Sequence, residues 1–393
     1  MIVEEAKRLN NIQEYYFSHK LRQIAEMSRR GDKVINLGIG SPDLDPDMKV
    51  ILALNHCALE TGIHGYQPYK GVPELRKAIV DWTSDLYDIQ LDAEKEILPL
   101  TGSKEGIMHI SLAFVNEGDI VLVPNPGYPT YASVSNIVGA KIITYDVSPD
   151  LGIDLEQIER IVNNYKIKMM WINFPHMPTG IRADKSILKK LIEIAKSKQF
   201  LLINDNPYST ILTDEPVSIF QLKEAKEVCM ELNSLSKSHS MAGWRIGWLI
   251  GNAELINTVL KVKSNMDSGM FLPLQKAAIK ALETGKNKIE IINEEYKQRR
   301  LIAWEIFDLL ECSYSKSTSG MFVWGKIKHT ELLSNEYSEE LLTKIKVFIT
   351  PGFIFGSNGE HYLRISLCSK QEILQEALKR IKTQLINKNK TIC

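Results

Sequence analysis

The chain has 393 residues, 44% of them hydrophobic and 24% charged, which is long enough for two or more domains around a large buried core. Its 48 Lys and Arg residues balance 48 Asp and Glu residues, and this neutral total gives no reason to expect nucleic acid or an anionic membrane as a partner. Five scattered cysteines without a Cys-x-x-Cys pair argue against disulfides and a zinc site, and we find neither a signal-peptide pattern nor a long apolar run, so we predict a cytoplasmic protein without a metal.

The N-terminal part of the chain contains a polar helical stretch, a Gly/Pro turn and an aromatic loop. Residues 1–30 are polar with a helical scatter of apolar positions. Val34–Asp43 is typical of a short strand that runs into a Gly/Pro turn containing Gly40. An aromatic loop then presents Tyr66 before Pro73, which favours the start of a helix.

From Ile97 onward, short apolar runs alternate with helical stretches, which is typical of βαβ units and a mainly parallel sheet. The predicted strands are Ile97–Leu100, Ile120–Val123, Lys141–Asp146, Lys168–Asn173, Phe200–Asp205, Val228–Leu232 and Ile246–Ile250. Ligands of such sheets bind at the carboxyl ends of the strands. The residues directly after each strand are therefore the first candidates for a binding site.

The first two strand ends predict a phosphate site and a stacking ring. After Leu100, a glycine turn with Ser103 and Lys104 runs into an apolar helix, whose first N–H groups and positive dipole end suit a phosphate. Tyr128 follows the next strand in a rigid Pro/Gly turn and presents a flat ring that can stack on a planar heterocycle.

Two later strand ends carry ionisable side chains. Asp205 ends one strand and Tyr208 follows it; a carboxylate buried there needs a cationic partner, such as a protonated pyridine nitrogen. Beyond the next strand, one lysine lies among small hydroxyl residues ahead of an arginine: Ser234, Ser236, Lys237 and Arg245. This combination suggests a Schiff-base lysine beside a cofactor phosphate, because burial and nearby positive charge lower the pKa of an amine. Each signal is weak alone, but together they indicate one cofactor site.

Taken together, these residues resemble the class I/II aminotransferases, the aspartate-aminotransferase-like branch of the fold type I enzymes that use pyridoxal 5′-phosphate (PLP). The resemblance covers nearly the whole chain and keeps the family's motif order. It implies an α/β fold with a mainly parallel central sheet in a large domain and a smaller α+β domain. We assign residues 1–45 to an N-terminal arm and part of the small domain, 46–275 to the large PLP-binding domain and 276–393 to the small C-terminal domain.

The resemblance also implies a role for each candidate residue. Lys237 would carry PLP as a Schiff base and move the proton, while Asp205 and Tyr208 contact the pyridine nitrogen and the 3′-oxygen. Tyr128 corresponds to the ring-stacking aromatic. The phosphate would be held by the helix-start turn and by the serines and arginine of the lysine stretch: Ser103, Lys104, Ser234, Ser236 and Arg245.

Substrate and subunit contacts follow from the same resemblance. Arg364, in Tyr362–Ser366, corresponds to the arginine that forks the substrate α-carboxylate, and Gly40 corresponds to a backbone contact on the substrate side. Tyr66 occupies the position of a tyrosine that reaches the phosphate of the partner subunit. The resemblance therefore implies a homodimer with shared active sites.

One position departs from the family pattern. Met177 stands where the family has the asparagine that holds the 3′-oxygen, and a methionine donates no hydrogen bond. Tyr208 alone, Asn173 or another nearby amide would then take this role.

The predicted activity is transfer of an amino group from an amino acid to a 2-oxo acid through PLP. The sequence leaves two alternatives open: a PLP-dependent carbon–sulfur β-lyase, which shares the carbanionic state, and a catalytically idle PLP-binding regulatory protein. Dicarboxylate-specific relatives use a second arginine, and the stretch Asn265–Pro273 contains none. We therefore predict a neutral, apolar or aromatic amino acid as the donor.

Overall fold

The computed structural model describes residues 3–9, 12, 14, 16–149, 152–329 and 331–391, with side chains described up to Ile386. Its α-helices are α1 (Tyr16–Arg29), α2 (Met48–Ala58), α3 (Pro73–Tyr87), α4 (Ser103–Phe114), α5 (Pro129–Ile137), α6 (Leu155–Asn164), α7 (Lys185–Lys198), α8 (Ala225–Val228), α9 (Leu235–Ser238), α10 (Ala253–Lys263), α11 (Leu272–Leu309), α12 (Ser334–Glu340) and α13 (Gln371–Thr391). Its strands are β1 (Ile35–Asn36), β2 (Ile97–Leu100), β3 (Ile120–Asn125), β4 (Lys141–Ser148), β5 (Gly152–Ile153), β6 (Ile167–Asn173), β7 (Leu201–Asp205), β8 (Cys229–Ser234), β9 (Gly247–Gly251), β10 (Cys312–Tyr314), β11 (Phe322–Ile327), β12 (Val347–Phe348), β13 (Thr350–Pro351) and β14 (Tyr362–Ser366).

Eight of these strands form one large mixed sheet in the order β2-β9-β8-β7-β6-β3-β4-β5. The inner strands β8, β7, β6, β3 and β4 are parallel. Residues 169–173 of β6 are buried without alternation, as expected of a strand covered by helices on both faces. The seven predicted strands correspond to all strands of this sheet except β5, and their predicted bounds lie within two residues of the observed ones.

The strand β9 runs antiparallel to both of its neighbours, β2 and β8. Its first residues therefore lie at the same sheet edge as the last residues of β8. The sequence between them turns back through α9 and a short 3-10 helix, Ala242–Trp244. This reversal brings Arg245 back beside Ser234 and Ser236.

A smaller antiparallel sheet has the order β10-β11-β14-β13, and β1 pairs in parallel with β12 beside it. In the central strand β14, Arg364 lies opposite Trp324 on one side and Thr350 on the other. The apolar side chains around this sheet form a core of their own, with Ile306, Phe307 and Leu363 fully buried.

The 38-residue helix α11 packs on the helices α2 and α3 and on the C-terminal helix α13. The predicted domain boundary after residue 275 falls within this continuous helix, and the three-part division of the chain stays a prediction. Over the described residues, no helix is long and apolar enough to span a membrane.

Candidate active site

A cavity of about 690 Å³ opens at the carboxyl edge of the large sheet, between that edge and the small sheet. It brings together twelve of the thirteen predicted site residues: Gly40, Ser103, Lys104, Tyr128, Asn173, Asp205, Tyr208, Ser234, Ser236, Lys237, Arg245 and Arg364. The remaining one, Tyr66, lies in a loop with 92% of its surface exposed. The single chain thus assembles every predicted group except the one assigned to the partner subunit.

Lys237 lies on the one-turn helix α9, directly after β8, and its amine points into the cavity. Its Nζ donates to the Gly40 carbonyl at 2.6 Å. Burial lowers the pKa of this amine, and the positive charges of Arg364 and Arg245 lower it further. A lysine with a lowered pKa presents more of the neutral amine that attacks a carbonyl carbon.

The predicted phosphate site is a cradle built on close backbone packing. Gly102 caps α4 at φ 86°, and a Cβ at this position would clash with Nη2 of Arg245. The guanidinium also donates to the Ala242 carbonyl at 2.8 Å and to Ser236 Oγ at 3.4 Å. The first N–H groups of α4 have no partner within the helix, so this corner combines N–H donors, a helix dipole and an arginine.

Hydroxyl groups complete the cradle. Ser234 Oγ caps α9 by accepting from the Ser236 N–H at 3.1 Å. Lys104 lies on the first turn of α4, where burial and then the charge of Arg245 lower the pKa of its amine. The clustered positive charges favour a multiply charged anion, such as a phosphate monoester.

Asp205 is the buried acid of the site, with 4% of its surface exposed. Burial raises the pKa of this carboxyl to about 6, against the opposing effect of the Tyr131 hydroxyl, which donates to Oδ2 at 2.7 Å. The second oxygen, Oδ1, is fully buried without a hydrogen-bond partner among the described residues. An unbonded carboxylate oxygen in a cavity wall is the arrangement that a protonated ring nitrogen would complete.

Tyr128 and Tyr208 supply the remaining groups around that carboxylate. Tyr208 is 9% exposed, packs edge-on against Phe322 at 5.9 Å, and its pKa is raised by burial. Tyr128 stands at the start of α5, and burial also raises the pKa of its phenol. Both phenols therefore remain protonated hydrogen-bond donors at neutral pH.

Arg364 is held in an aromatic cage that the sequence did not reveal. Its guanidinium lies 4.0 Å from the ring centre of Phe322 and 4.7 Å from that of Phe355. Nη2 donates to the Gly38 carbonyl at 2.7 Å. Rings on its faces fix the orientation of the fork, which suits bidentate recognition of a carboxylate.

The structure accounts for Met177 as part of this cage. Its side chain is 5% exposed, and its sulfur accepts a weak hydrogen bond from Arg364 Nη1 at 3.3 Å. Both polar atoms of the Asn173 amide are hydrogen-bonded to the backbone. Nδ2 donates to the Asp205 carbonyl at 2.5 Å, and Oδ1 accepts from the Met177 N–H at 2.8 Å. One Nδ2 hydrogen remains for a ligand, and the substitute role of Asn173 stays a prediction.

Sequence reasoning missed Tyr131, the ring of Trp171 that stacks on it, and the rings around Arg364. Tyr131 lies three positions after Tyr128, so both project from the first turns of α5, and this spacing was the available signal. The rings that face the Arg364 guanidinium, those of Phe17, Phe322 and Phe355, come from three distant segments, and no local pattern in the sequence connects them.

A separate group of titratable side chains lies behind the phosphate cradle. Glu105, His109 and Asp267 come close enough together to hold a metal ion. Glu105 already accepts from the Thr101 N–H at 2.6 Å, and Asp267 is paired with the buried Lys263 at 2.7 Å. Both carboxylates of the group therefore already have partners of their own.

Comparison with known proteins identifies the family and the fold of the chain. The family model for aminotransferase class I and II matches residues 32–381. The LL-diaminopimelate aminotransferase of Moorella thermoacetica is 37% identical over 391 residues, covering 98% of this chain and 99% of that one. The enzyme of the same name from Aquifex aeolicus is 38% identical over 383 residues, covering 96% and 98%. Substrate-bound BacF from Bacillus subtilis superposes with a TM-score of 0.92 at 32% identity, covering 97% and 98%.

The fold and the site together define a PLP-dependent transferase of fold type I. The chain belongs to the aminotransferase class I and II family, and it is a PLP-dependent transaminase. The predictions of family, fold class, enzyme class and cofactor are confirmed. This result favours the aminotransferase over both the lyase and the idle binding protein.

Proposed function

We propose that this transaminase takes its amino group from a neutral amino acid with a large apolar or aromatic side chain. The observation that carries this proposal is the wall of the cavity next to Arg364. Beyond the carboxylate fork, the wall consists of apolar side chains from α1, the Gly40 turn, β11 and the segment before β14: Phe17, Leu21, Ile39, Phe322 and Phe355. Such a surface binds an apolar side chain by burial, at roughly 25 cal/mol per Å² of apolar area.

The residues of the site divide the work of the reaction. PLP, when bound, supplies an electron sink that allows the Cα–H bond of the amino acid to be broken by proton transfer. Arg364 holds the α-carboxylate of the substrate in its fork and thereby turns Cα toward Lys237. Nζ of Lys237, once free of its contact with the Gly40 carbonyl, would take the proton from Cα and pass it to C4′ of the cofactor. Asp205 supplies the negative charge opposite the ring nitrogen.

The phosphate cradle contributes binding rather than proton transfer. Ser103, Ser234, Ser236 and Arg245 would anchor one end of the cofactor, and Tyr128 would stack on its ring. Anchoring both ends fixes the reacting atoms relative to Lys237, and such positioning accounts for several kcal/mol of a barrier in enzymes generally.

LL-diaminopimelate is a second candidate donor, because both relatives reported above are named LL-diaminopimelate aminotransferase. Their name does not support the neutral, apolar or aromatic donor predicted from the sequence. These enzymes match almost the whole chain at 37% and 38% identity. The three methylene groups of this donor would lie along the same apolar wall. Its second amino-acid end would then reach Ser18, which lines the cavity and is bonded to the exposed Glu14–Arg22 ion pair.

A panel of single-turnover reactions separates the two donors. The PLP-loaded enzyme is mixed with phenylalanine, methionine, leucine, aspartate and LL-diaminopimelate, and conversion of the cofactor is followed by its absorbance. The apolar wall predicts the largest kcat/KM for phenylalanine, methionine or leucine. A preference for LL-diaminopimelate above all three assigns the second donor, and a preference for aspartate contradicts both.

A further inference from the structure

Tyr131 is not among the predicted site residues, but it is hydrogen-bonded to one of them, Asp205. Tyr131 is 1% exposed and lies on α5, whereas Asp205 ends β7. Its phenol hydroxyl donates to Oδ2 of the carboxylate at 2.7 Å, while Oδ1 has no partner among the described residues. The hydroxyl thus occupies one carboxylate oxygen, and the other stays buried without a hydrogen-bond partner among the described residues.

The Tyr131 ring is held rigidly enough to define the position of that hydroxyl. It stacks on Trp171 of β6 with ring centres 5.1 Å apart and planes 6° apart. It also meets the ring of Tyr128 edge-on at 5.5 Å. The carbonyl of Tyr131 accepts from Ser135 Oγ at 2.7 Å. A ring held between Trp171 and Tyr128 restricts the rotation of the carboxylate to which its hydroxyl is bonded.

We propose that Tyr131 is a positioning residue for PLP: its hydroxyl fixes one oxygen of Asp205 so that the other faces the pyridine nitrogen of the cofactor. The same hydrogen bond stabilises the ionised carboxylate, because the phenol O–H donates to its charged oxygen. Burial raises the pKa of Tyr131 far above its ordinary value, so it stays protonated throughout the working pH range. Its contact with Tyr128 also links the ring-stacking group to the partner of the ring nitrogen.

The charged and titratable groups that face Asp205 set the expected pH dependence. Glu231 on β8 acts on Asp205 as a like charge and raises its pKa, whereas the hydrogen bond from Tyr131 lowers it. Tyr128 and Tyr208 also face the carboxylate, and both are phenols whose pKa is raised. Tyr131 is therefore the neighbour whose loss most directly raises the pH at which Asp205 takes up a proton.

The test is the affinity of the full-length protein for PLP, measured by equilibrium titration across the pH range around 6. Tyr131→Phe keeps the ring and its stacking but removes the hydroxyl. We expect PLP binding to weaken by about tenfold to a hundredfold, the range for a hydrogen bond to a charged group. We also expect the acid limb of binding to move to higher pH, and kcat to fall more than KM for the amino acid rises.

Tyr145→Phe is the matched control. Tyr145 is also 1% exposed, and its hydroxyl donates to the Trp171 carbonyl at 2.7 Å, but this bond does not involve Asp205. We expect this variant to lose stability and to keep the PLP affinity and acid limb of the wild type. In an Asp205→Asn background, Tyr131→Phe should cause little further loss of affinity.

Two results would overturn the proposal. One is a folded Tyr131→Phe protein with the PLP affinity and acid limb of the Tyr145→Phe control. If Tyr131→Phe does not fold, 3-fluorotyrosine is placed at position 131, because its more acidic hydroxyl is a stronger donor in nearly the same volume. The acid limb should then move to lower pH, and an unchanged limb contradicts the proposal.

Discussion

Asp205 and Lys237 are buried groups of opposite charge, and burial shifts both toward their neutral forms. It raises the pKa of Asp205 to about 6 and lowers the pKa of Lys237. Without a cofactor, the protein holds a carboxylate at neutral pH whose partner in the described structure is one phenol. We propose that the pyridine nitrogen of PLP would be the partner of Asp205 and that its carbonyl carbon would react with the amine of Lys237.

Asp205→Asn should stabilise the PLP-free protein at pH 8. The folded-state pKa of about 6 lies above the ordinary value of 3.8, so the folded state holds this proton more tightly than the unfolded state. Stability therefore falls as the pH rises through that interval, and the neutral amide avoids the loss. We expect a gain on the order of 1–3 kcal/mol in urea unfolding at pH 8, shrinking as the pH falls below about 6.

Glu231→Gln is the control for that measurement. Glu231 is fully buried, and burial raises the pKa of this carboxyl as well. Unlike Asp205, it accepts hydrogen bonds on both oxygens, from Asn204, Ser218, Asn233 and the Ile219 N–H, and an amide NH₂ would face these donors. Removing a fully bonded carboxylate should destabilise the protein. Equal or lower stability of the Asp205→Asn protein at pH 8 would contradict our account of the buried charge.

The residues that could be predicted from sequence are those whose signal is local. Lys237, Asp205 and Arg245 follow strand ends or lie within a short motif, so their position in the sheet follows from the strand pattern. Tyr131 and the rings around Arg364 could not be predicted, because their contacts join distant segments and depend on the tertiary packing. Met177 was recognised as a departure, but its contact with Arg364 appears only in the structure.

At the scale of elements, the site depends on the close approach of α4, α9 and β9. Gly102 admits the guanidinium of Arg245, and Gly247 packs against the backbone at Ser103 and Asn233. The strand pattern predicted these elements because buried parallel strands and amphipathic crossover helices have distinct periods. It did not predict that β9 runs antiparallel, since strand direction depends on the connection through α9 and not on local composition.

Gly102→Ala should weaken PLP binding through this contact. The added Cβ displaces Arg245 from the phosphate cradle, and we expect affinity to fall by about tenfold or more, equivalent to one charged hydrogen bond. Gly118→Ala is the matched control: its φ of 85° nearly equals the 86° of Gly102, but no atom lies within 4 Å of its Cβ position. Gly102→Ala should also lose roughly 1–3 kcal/mol of stability, because Gly102 at φ 86° and ψ 154° lies in a backbone region essentially restricted to glycine. Gly118→Ala should lose about 1–2 kcal/mol through its positive φ alone. Equal PLP affinities of the two variants would show that the contact with Arg245 does not matter.

At the scale of the whole molecule, we propose a homodimer in which Tyr66 completes the partner's phosphate site. Tyr66 is 92% exposed, and the nearby Phe271 and Met266 are 43% and 60% exposed. His64 of the same loop stacks on Phe271 at 6.0 Å, so the loop and the segment before α11 form one surface with exposed apolar groups. Such a surface supports an interface between two copies of the chain.

Tyr66→Phe should lower PLP affinity several-fold while leaving the dimer intact, because the ring stays in the interface and only the phosphate contact is lost. Tyr165→Phe, at another exposed tyrosine, should leave the affinity unchanged. Sedimentation equilibrium checks the mass, and cofactor titration checks the affinity. A fully active monomer, or the same PLP affinity in both variants, would refute the shared site.

The most direct test of the central claim is to identify the lysine that binds PLP. The PLP-loaded protein is reduced with borohydride, which fixes the cofactor to the lysine that carries it, and the labelled peptide is mapped by mass spectrometry. Lys104 lines the same cavity and is the internal alternative. We predict one label per chain, on Lys237, and neither label nor transamination in the Lys237→Ala protein. A label on Lys104, or an active and labelled Lys237→Ala protein, would contradict the assignment.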